Sequence, residues 1–345
     1  MRNRLFLIIL LLISLTLSGC SLKVPHFFQK TTEAVSNLPA SAILTNGQEV
    51  YQSTIQMIES AQTSIYIEQD SFSQPNLKQL LIDKAHSGVA VKILLDQWQT
   101  GNKAVLEELK SENVSIQFYP TQKGQYHHAK LLVVDNAQAI IYGPSWTEES
   151  LNSPCMAVKL TEKSAWVVAY SIFLKDWKFA TTLALDIPKT TTLPEDQITP
   201  AANANIKQQI TQQIEKSTAQ VNIEVSDLSD IDILKELTDG TDKGLGIRII
   251  LGSKASQSNS QTEIVKALRA KGIQVRYYPA PSSRQFAVFD DRALIMSSSG
   301  WTHSTFVVNH EMGLTIPSPE ATTKAAAQFE NDWAASSETP SVSGS

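Results

Sequence analysis

Cysteine is scarce in this chain of 345 residues, which has only Cys20 and Cys155. Two cysteines cannot build a disulfide framework or a cysteine-rich metal site, and Cys155 reads as a small buried residue. Basic charge is short as well. Against 29 Lys and Arg stand 34 Asp and Glu, a formal net charge of −5. Broad nucleic-acid binding relies on a basic face that displaces counterions, so nucleic acid is not an expected partner. Long apolar runs are also lacking. The run Leu5–Leu17 is shorter than the roughly 20 residues of a membrane-spanning helix. No set of His, Cys and carboxylates stands at metal-ligand spacing, and no metal or cofactor is expected.

What the chain does have is a pattern written twice. The segment Thr63–Glu68 corresponds to Ala219–Glu224, each after an amphipathic helix pattern (Val50–Ala61, Ile206–Ser217). Leu80–Ala85 then leads through Gly88 into Val91–Leu95, and Leu234–Asp239 through Gly244 into Ile247–Leu251. Helix, glycine stop and buried strand recur in one order. A third unit repeats in Val105–Leu109 with Ser115–Pro120 and Ile264–Leu268 with Gln274–Pro279. Strands alternating with helices, duplicated at this period, predict two tandem α/β domains. The expected boundaries are 1–19 leader, 20–40 polar tether, 41–185 first domain, 186–203 Pro-rich linker, 204–335 second domain and 336–345 low-complexity tail.

The chemistry concentrates in Tyr126–Thr147, where His128, Lys130 and Asp135 punctuate an apolar run. In a strand, His128 and Lys130 share one face. An imidazole beside an ammonium suits attack on a phosphodiester: the first is a nucleophile or proton carrier, the second holds phosphoryl oxygens where charge develops. Asp135 sits near the strand end, placed to orient a neighbour.

This stretch resembles the His-x-Lys-x4-Asp motif of the phospholipase D superfamily, and Trp146-Thr147 matches the Trp-Thr that follows it there. Aligning Trp301-Thr302 with Trp146-Thr147 puts Asp290 opposite Asp135, but Ser283 opposite His128 and Gln285 opposite Lys130. The second motif is degenerate. The resemblance implies two α/β domains about a pseudo-twofold axis, no cofactor, and a shared site in which one His forms a phosphohistidine and the other protonates the leaving alcohol. Here one imidazole is in place. The family's Asn in the turn is replaced by Ser145 and Gly300, while Ser298 falls on the family's Ser; Ser145 and Ser298 are expected to donate to a phosphate. Asn309-His310-Glu311 resembles the family's Asn-x-Glu element, which makes Glu311 the partner that orients His128 and adds Asn309 to the substrate-binding set. The equivalent place in the first half is near Met156. Leu17-Ser18-Gly19-Cys20, after Arg2 and Arg4, is similar to a bacterial lipoprotein lipobox, which would put a lipid on Cys20 and the mature chain outside the cytoplasm at the cell or outer membrane.

The reading that results is a phosphodiesterase acting on phospholipid, with His128, Lys130, Asp135 and Glu311 as catalytic residues. A pseudoenzyme that binds phospholipid or a protein partner, and a nuclease, are the alternatives. His127, His303 and His310 are the candidate substitutes for the absent acid.

Overall fold

Alternating apolar residues and short helix caps give each half of the chain the same seven-stranded sheet. The computed structural model describes residues 36–161, 163–185 and 198–340. The leader, Cys20, most of the tether, linker residues 186–197 and tail residues 341–345 lie outside them. The first sheet comprises β1 (Ile43–Leu44), β2 (Ser64–Gln69), β3 (Ala90–Asp96), β4 (Ser115–Tyr119), β5 (Leu131–Val134), β6 (Gln138–Tyr142) and β7 (Ala157–Leu160). The second comprises β8 (Thr199–Ala202), β9 (Gln220–Val225), β10 (Gly246–Leu251), β11 (Gln274–Tyr277), β12 (Phe286–Phe289), β13 (Ala293–Ser297) and β14 (Met312–Ile316).

Their spatial orders, β1-β7-β6-β5-β2-β3-β4 and β8-β14-β13-β12-β9-β10-β11, are the same order. β2, β3 and β4 run parallel and β5 to β7 antiparallel, as do their counterparts. The duplication read from the sequence is therefore a duplication of topology. One expectation changes: Thr199–Ala202, assigned to the linker, is the edge strand β8 on β14. Likewise Ser337, assigned to the tail, exchanges backbone hydrogen bonds with Tyr277.

β2, β5, β12 and β14 are buried along their whole length, which explains the continuous apolar runs of β5 and β12. Helices Gly47–Ser60, Pro75–His86 and Asn102–Ser111 cover one face of the first sheet, and their apolar stripes form its outer core with Ile65, Ile93 and Val134. Gly88 and Gly244 both take φ +92° after their helices, the left-handed stop that the sequence pattern predicts. The other face is shared. Leu131 and Val133 of the first half join Phe286, Val288 and Leu314 of the second in one core, with Phe173 and Trp177 from helix Lys163–Thr181 and Phe329 from helix Pro319–Ala335. The latter helix also touches β1, and Lys163–Thr181 touches β8. The halves therefore fall within one compact unit.

Gly143 sits where they meet tightly: a Cβ there would meet the Ser283 carbonyl oxygen of the second half at 2.4 Å and that of Met156 at 2.8 Å. Main chain from both halves must pass this point, and only a residue without a side chain leaves room.

Asp135 acts far from the imidazole it follows in sequence. Seven residues of extended chain from His128 span roughly 20 Å. Its carboxylate accepts hydrogen bonds from the backbone N–H of Gln62 (2.8 Å), Thr63 (2.7 Å) and Ser64 (2.9 Å) and from Thr63 Oγ1 (2.8 Å). Asp135 and Asn136 have φ +53° and +52°, a type I′ turn between β5 and β6. Asp290 and Asp291 repeat it, and Asp290 accepts from Thr218, Ala219 and Gln220. Asp135 was expected among the catalytic residues; its bonds make it a clamp on the start of β2.

Burial alone would raise the Asp135 pKa, but the N–H groups of Ser64, Gln62 and Thr63 outweigh it and hold the group below the usual carboxylate range. A depressed folded-state pKa contributes stability above the unfolded pKa, and that contribution is lost as pH falls through the folded value. Asp135→Asn keeps the turn conformation but removes the charge. It is expected to destabilise the protein by about 1–2 kcal/mol at pH 7, measured by denaturant unfolding. The difference from wild type should shrink below about pH 4; a pH-independent difference would refute the carboxylate's role.

Candidate active site

The apolar strand β5 begins one residue after Lys130, so the segment carrying His128 and Lys130 emerges at the end of a buried strand. There it meets the second half edge to edge. His128 N–H donates to the His310 carbonyl (2.7 Å) and His310 N–H to the Tyr126 carbonyl (2.8 Å). These two bonds place His128 against Glu311.

His128 Nδ1 lies 2.7 Å from Glu311 Oε1. The carboxylate is wholly buried, whereas the imidazole is 22% exposed. An Nδ1–H donated to Glu311 leaves Nε2 with its lone pair, the tautomer a nucleophile needs. Ser299 Oγ donates to Glu311 Oε2 (2.8 Å) and lies 3.2 Å from His128 Nδ1. Ser298 Oγ makes a short hydrogen bond to Glu311 Oε2, and Asn309 Nδ2 donates to Oε1 at 3.2 Å. Asn203, whose side chain accepts from Glu311 N–H (2.9 Å), fixes the backbone of the same residue. Tyr126 stacks on the His128 ring, centroids 5.7 Å apart and planes 2° from parallel.

Lys130 is nearly buried and donates to Asp70 Oδ2 (3.3 Å) and to the Ser298 carbonyl (3.0 Å). Asp96 accepts from the backbone N–H of His127 at 2.6 Å, and its own pKa is raised by burial against the opposing pull of the Trp98 and His127 amides. A further carboxyl of the second half, Asp227, lies near enough to Glu311 to feel its charge. A Cβ on Gly300 would meet Asp227 Oδ1 at 2.0 Å, so Asp227 occupies the room that a side chain would need there. Burial, and then the charge of Glu311, pushes the Asp227 carboxyl above its usual range.

The structure brings His128, Lys130, Glu311, Ser298 and Asn309 together. Two of them differ from expectation in what they do: Ser298 and Asn309, assigned to substrate, spend their side chains on Glu311. Ser145 lies in the turn after β6 and makes none of these bonds. Asp135 stands apart, as described above. Sequence reasoning missed Ser299, Asp70, Asn203, Tyr126 and Asp227. Only Asp70, at the end of the strand before a predicted loop, carried a signal.

The symmetry-related half-site, at Ser283 and Gln285, lacks this chemistry. Ser283 N–H donates to the Pro154 carbonyl at 2.8 Å, the mirror of His128 on His310. Tyr142 pairs with Ala157 and Ser297 with Gly313, so the offset between halves grows from 297 − 142 = 155 to 313 − 157 = 156. The extra residue falls in the π-helix Ser304–Val308, a wider turn often found at functional sites. The counterpart of Glu311 is accordingly Cys155 rather than Met156. Burial pushes the Cys155 thiol up to about 12, so it stays protonated at neutral pH. Gln285, opposite Lys130, accepts from Ser226 N–H at 2.9 Å.

Comparison with known proteins bears on this arrangement. The sequence profile described as "Cardiolipin synthase, PLD-like domain" matches residues 54–177 and again 210–333. Cardiolipin synthase A of Pseudomonas syringae pv. syringae (strain B728a) is 23% identical over 326 residues, covering 82% of this chain and 67% of that protein. A cardiolipin synthase of Geobacillus kaustophilus is 29% identical over 169 residues, 43% of this chain, and the match spans only 33% of the relative's length. Among solved structures, phosphatidylserine synthase of Haemophilus influenzae Rd KW20 superposes with a TM-score of 0.67 at 15% identity, over 86% of this chain and 87% of that one, a likeness of fold. Since the profile covers both halves of a duplicated α/β scaffold, the chain belongs to the cardiolipin synthase PLD-like domain family, within the phospholipase D superfamily.

Proposed function

We propose that the protein is a phosphodiesterase of phospholipase D type acting on a phospholipid headgroup, with His128 as its nucleophile. The observation that carries this reading is the 2.7 Å contact of His128 Nδ1 with buried Glu311, which leaves Nε2 free. In the first step Nε2 attacks phosphorus, an N–P bond forms and the P–O bond to the leaving alcohol breaks. Lys130 lies beside the imidazole to balance charge on the phosphoryl oxygens. Glu311 stabilises the imidazole as it becomes cationic. Water, or a second alcohol, then attacks phosphorus and releases His128. The names of the relatives, cardiolipin synthases, favour a phospholipid substrate.

The leaving alkoxide needs a proton, and no second imidazole occupies the symmetry-related place. Absence of a general acid lowers a rate by typically 10²–10⁴. His127 is wholly buried and His310 is held by Asp176 at 2.7 Å. Asp227, partly exposed beside Gly300 with a raised pKa, is our assignment for the acid. The competing reading is a pseudoenzyme that binds headgroups, favoured by Ser283 and Gln285 in place of His and Lys. We assign the protein to the extracytoplasmic face of a membrane, anchored through lipid on Cys20, on the lipobox pattern alone.

Incubation with a labelled phosphodiester should leave covalent label on the wild type and none on His128→Ala. Glu311→Gln should slow labelling by about 10²–10⁴. Headgroup binding with neither label nor turnover would establish the pseudoenzyme instead. With a nitrophenyl leaving group, which departs without a proton, Asp227→Asn should label like wild type, yet lose at least tenfold in turnover of an unactivated phospholipid. Equal loss on both substrates would remove Asp227 as the acid. Growth with labelled palmitate should mark the chain, and Cys20→Ser should not be marked; a marked variant would exclude this anchor.

A further inference from the structure

Directly behind the candidate active site lies a second group of ionisable side chains that the mechanism does not use. Glu68 is the penultimate residue of the buried strand β2, His127 precedes the proposed nucleophile, and His310 comes from the second half. Among the described residues, one potential ligand atom of each lies within 4.8 Å of the other two. His127 Nε2 and Glu68 Oε2 are 3.3 Å apart, both side chains fully buried. Beyond each other and the Asp176 carboxyl beside Glu68, the oxygens of Glu68 and the ring nitrogens of His127 have no hydrogen-bond partner. A wholly buried carboxyl and imidazole with so few partners are an expensive arrangement unless their charge is balanced there.

The second half shows what the place requires. Glu224 and Asp332 are the counterparts of Glu68 and Asp176, each pair close enough to interact. There Arg284, from a buried position, donates to Asp332 Oδ1 at 2.7 Å and acts on Glu224 through its charge alone, with no hydrogen bond between them. The residue equivalent to Arg284 in the first half is Ala129. Two carboxylates remain without their fixed cation, and two imidazoles stand in its place. We propose that Glu68, His127 and His310 bind one divalent metal ion, zinc by ligand type.

Two imidazoles and one carboxylate are a known zinc ligand set. A tetrahedral ion at about 2.0 Å from each ligand holds them about 3.3 Å apart; Glu68 and His127 already have that spacing, and the third ligand closes by at most about 1.5 Å. A charge of +2 balances Glu68 and Asp176. Asp176 Oδ2 lies 2.7 Å from His310 Nε2, the kind of carboxylate contact that orients metal-binding imidazoles. Tyr119 stacks on both rings, 4.5 Å from His127 and 4.6 Å from His310, and keeps them near parallel. His127 belongs to the first half and His310 to the second, so the ion would clasp the seam that sets His128 against Glu311.

The test uses the full-length chain, stripped with dipicolinate and titrated with zinc. Wild type should take up about one zinc per chain, with a rise in melting temperature, and Co²⁺ should give the visible bands of a tetrahedral site. Glu68→Gln and His127→Asn should each weaken uptake at least tenfold while His86→Asn, on the surface, leaves it unchanged. Should the first two fail to fold, His310→Gln, at a partly exposed position, and the cobalt spectrum of the wild type decide the matter. Wild type that binds no zinc, or variants that bind it equally, would overturn the proposal and leave the carboxylates balanced by protons. None of these readouts depends on turnover.

Discussion

A carboxylate sealed from water must be met by donors, and Glu311 is met by four. Two serines, an asparagine and His128 surround it, and the histidine comes from the other half of the chain. Removing a buried charged acceptor's partners costs several kcal/mol, so this one residue ties the docking of the two halves to the geometry of the imidazole. The main-chain bonds between Tyr126, His128 and His310 set the register, and the close approach at Gly143 requires that the backbones meet. The free Nε2 is a consequence of this packing.

The two halves have diverged in chemistry while keeping the same frame. Where Lys130 bonds Asp70, Gln285 bonds the backbone of Ser226, a neutral replacement that satisfies the same buried space. Where Glu311 faces His128, Cys155 faces Ser283, two small side chains that leave no buried charge unpaired. Arg284 with Asp332 and Glu224 forms an ion cluster behind the degenerate motif, and the imidazoles of His127 and His310, one from each half, stand at the matching place behind the intact one. At the first two places the polar group differs together with its partner, which is what the free energy of burial demands; at the third the carboxylates are kept in both halves and what balances them differs.

Much of the fold was legible because its signals are local. Continuous apolar runs, glycine stops and a repeat in three matched units foretold two equivalent sheets, and the pairing of His128 with Glu311 followed from the resemblance to a duplicated family. The edge strand β8 was not legible, since Thr199–Ala202 carries two alanines and a proline and becomes a strand only because β14 offers it an unpaired edge. Asp135 was misread for a similar reason. Its place in the motif is a local fact, but its bonds go to residues 62–64 across the sheet. The shift from Met156 to Cys155 turns on a single extra residue in a π-helix, which leaves no mark in composition or periodicity.

The sequence by itself determined the elements, their duplication, and the loss of imidazole and ammonium from the second motif, because side-chain type and spacing are written in the chain. Only the tertiary structure decided that Ser298 and Asn309 serve Glu311, that Asp227 fills the space beside Gly300, and that Glu68, His127 and His310 converge. Those outcomes depend on which groups become neighbours once water is excluded, and residues far apart in the chain meet only when the two sheets close on a common core.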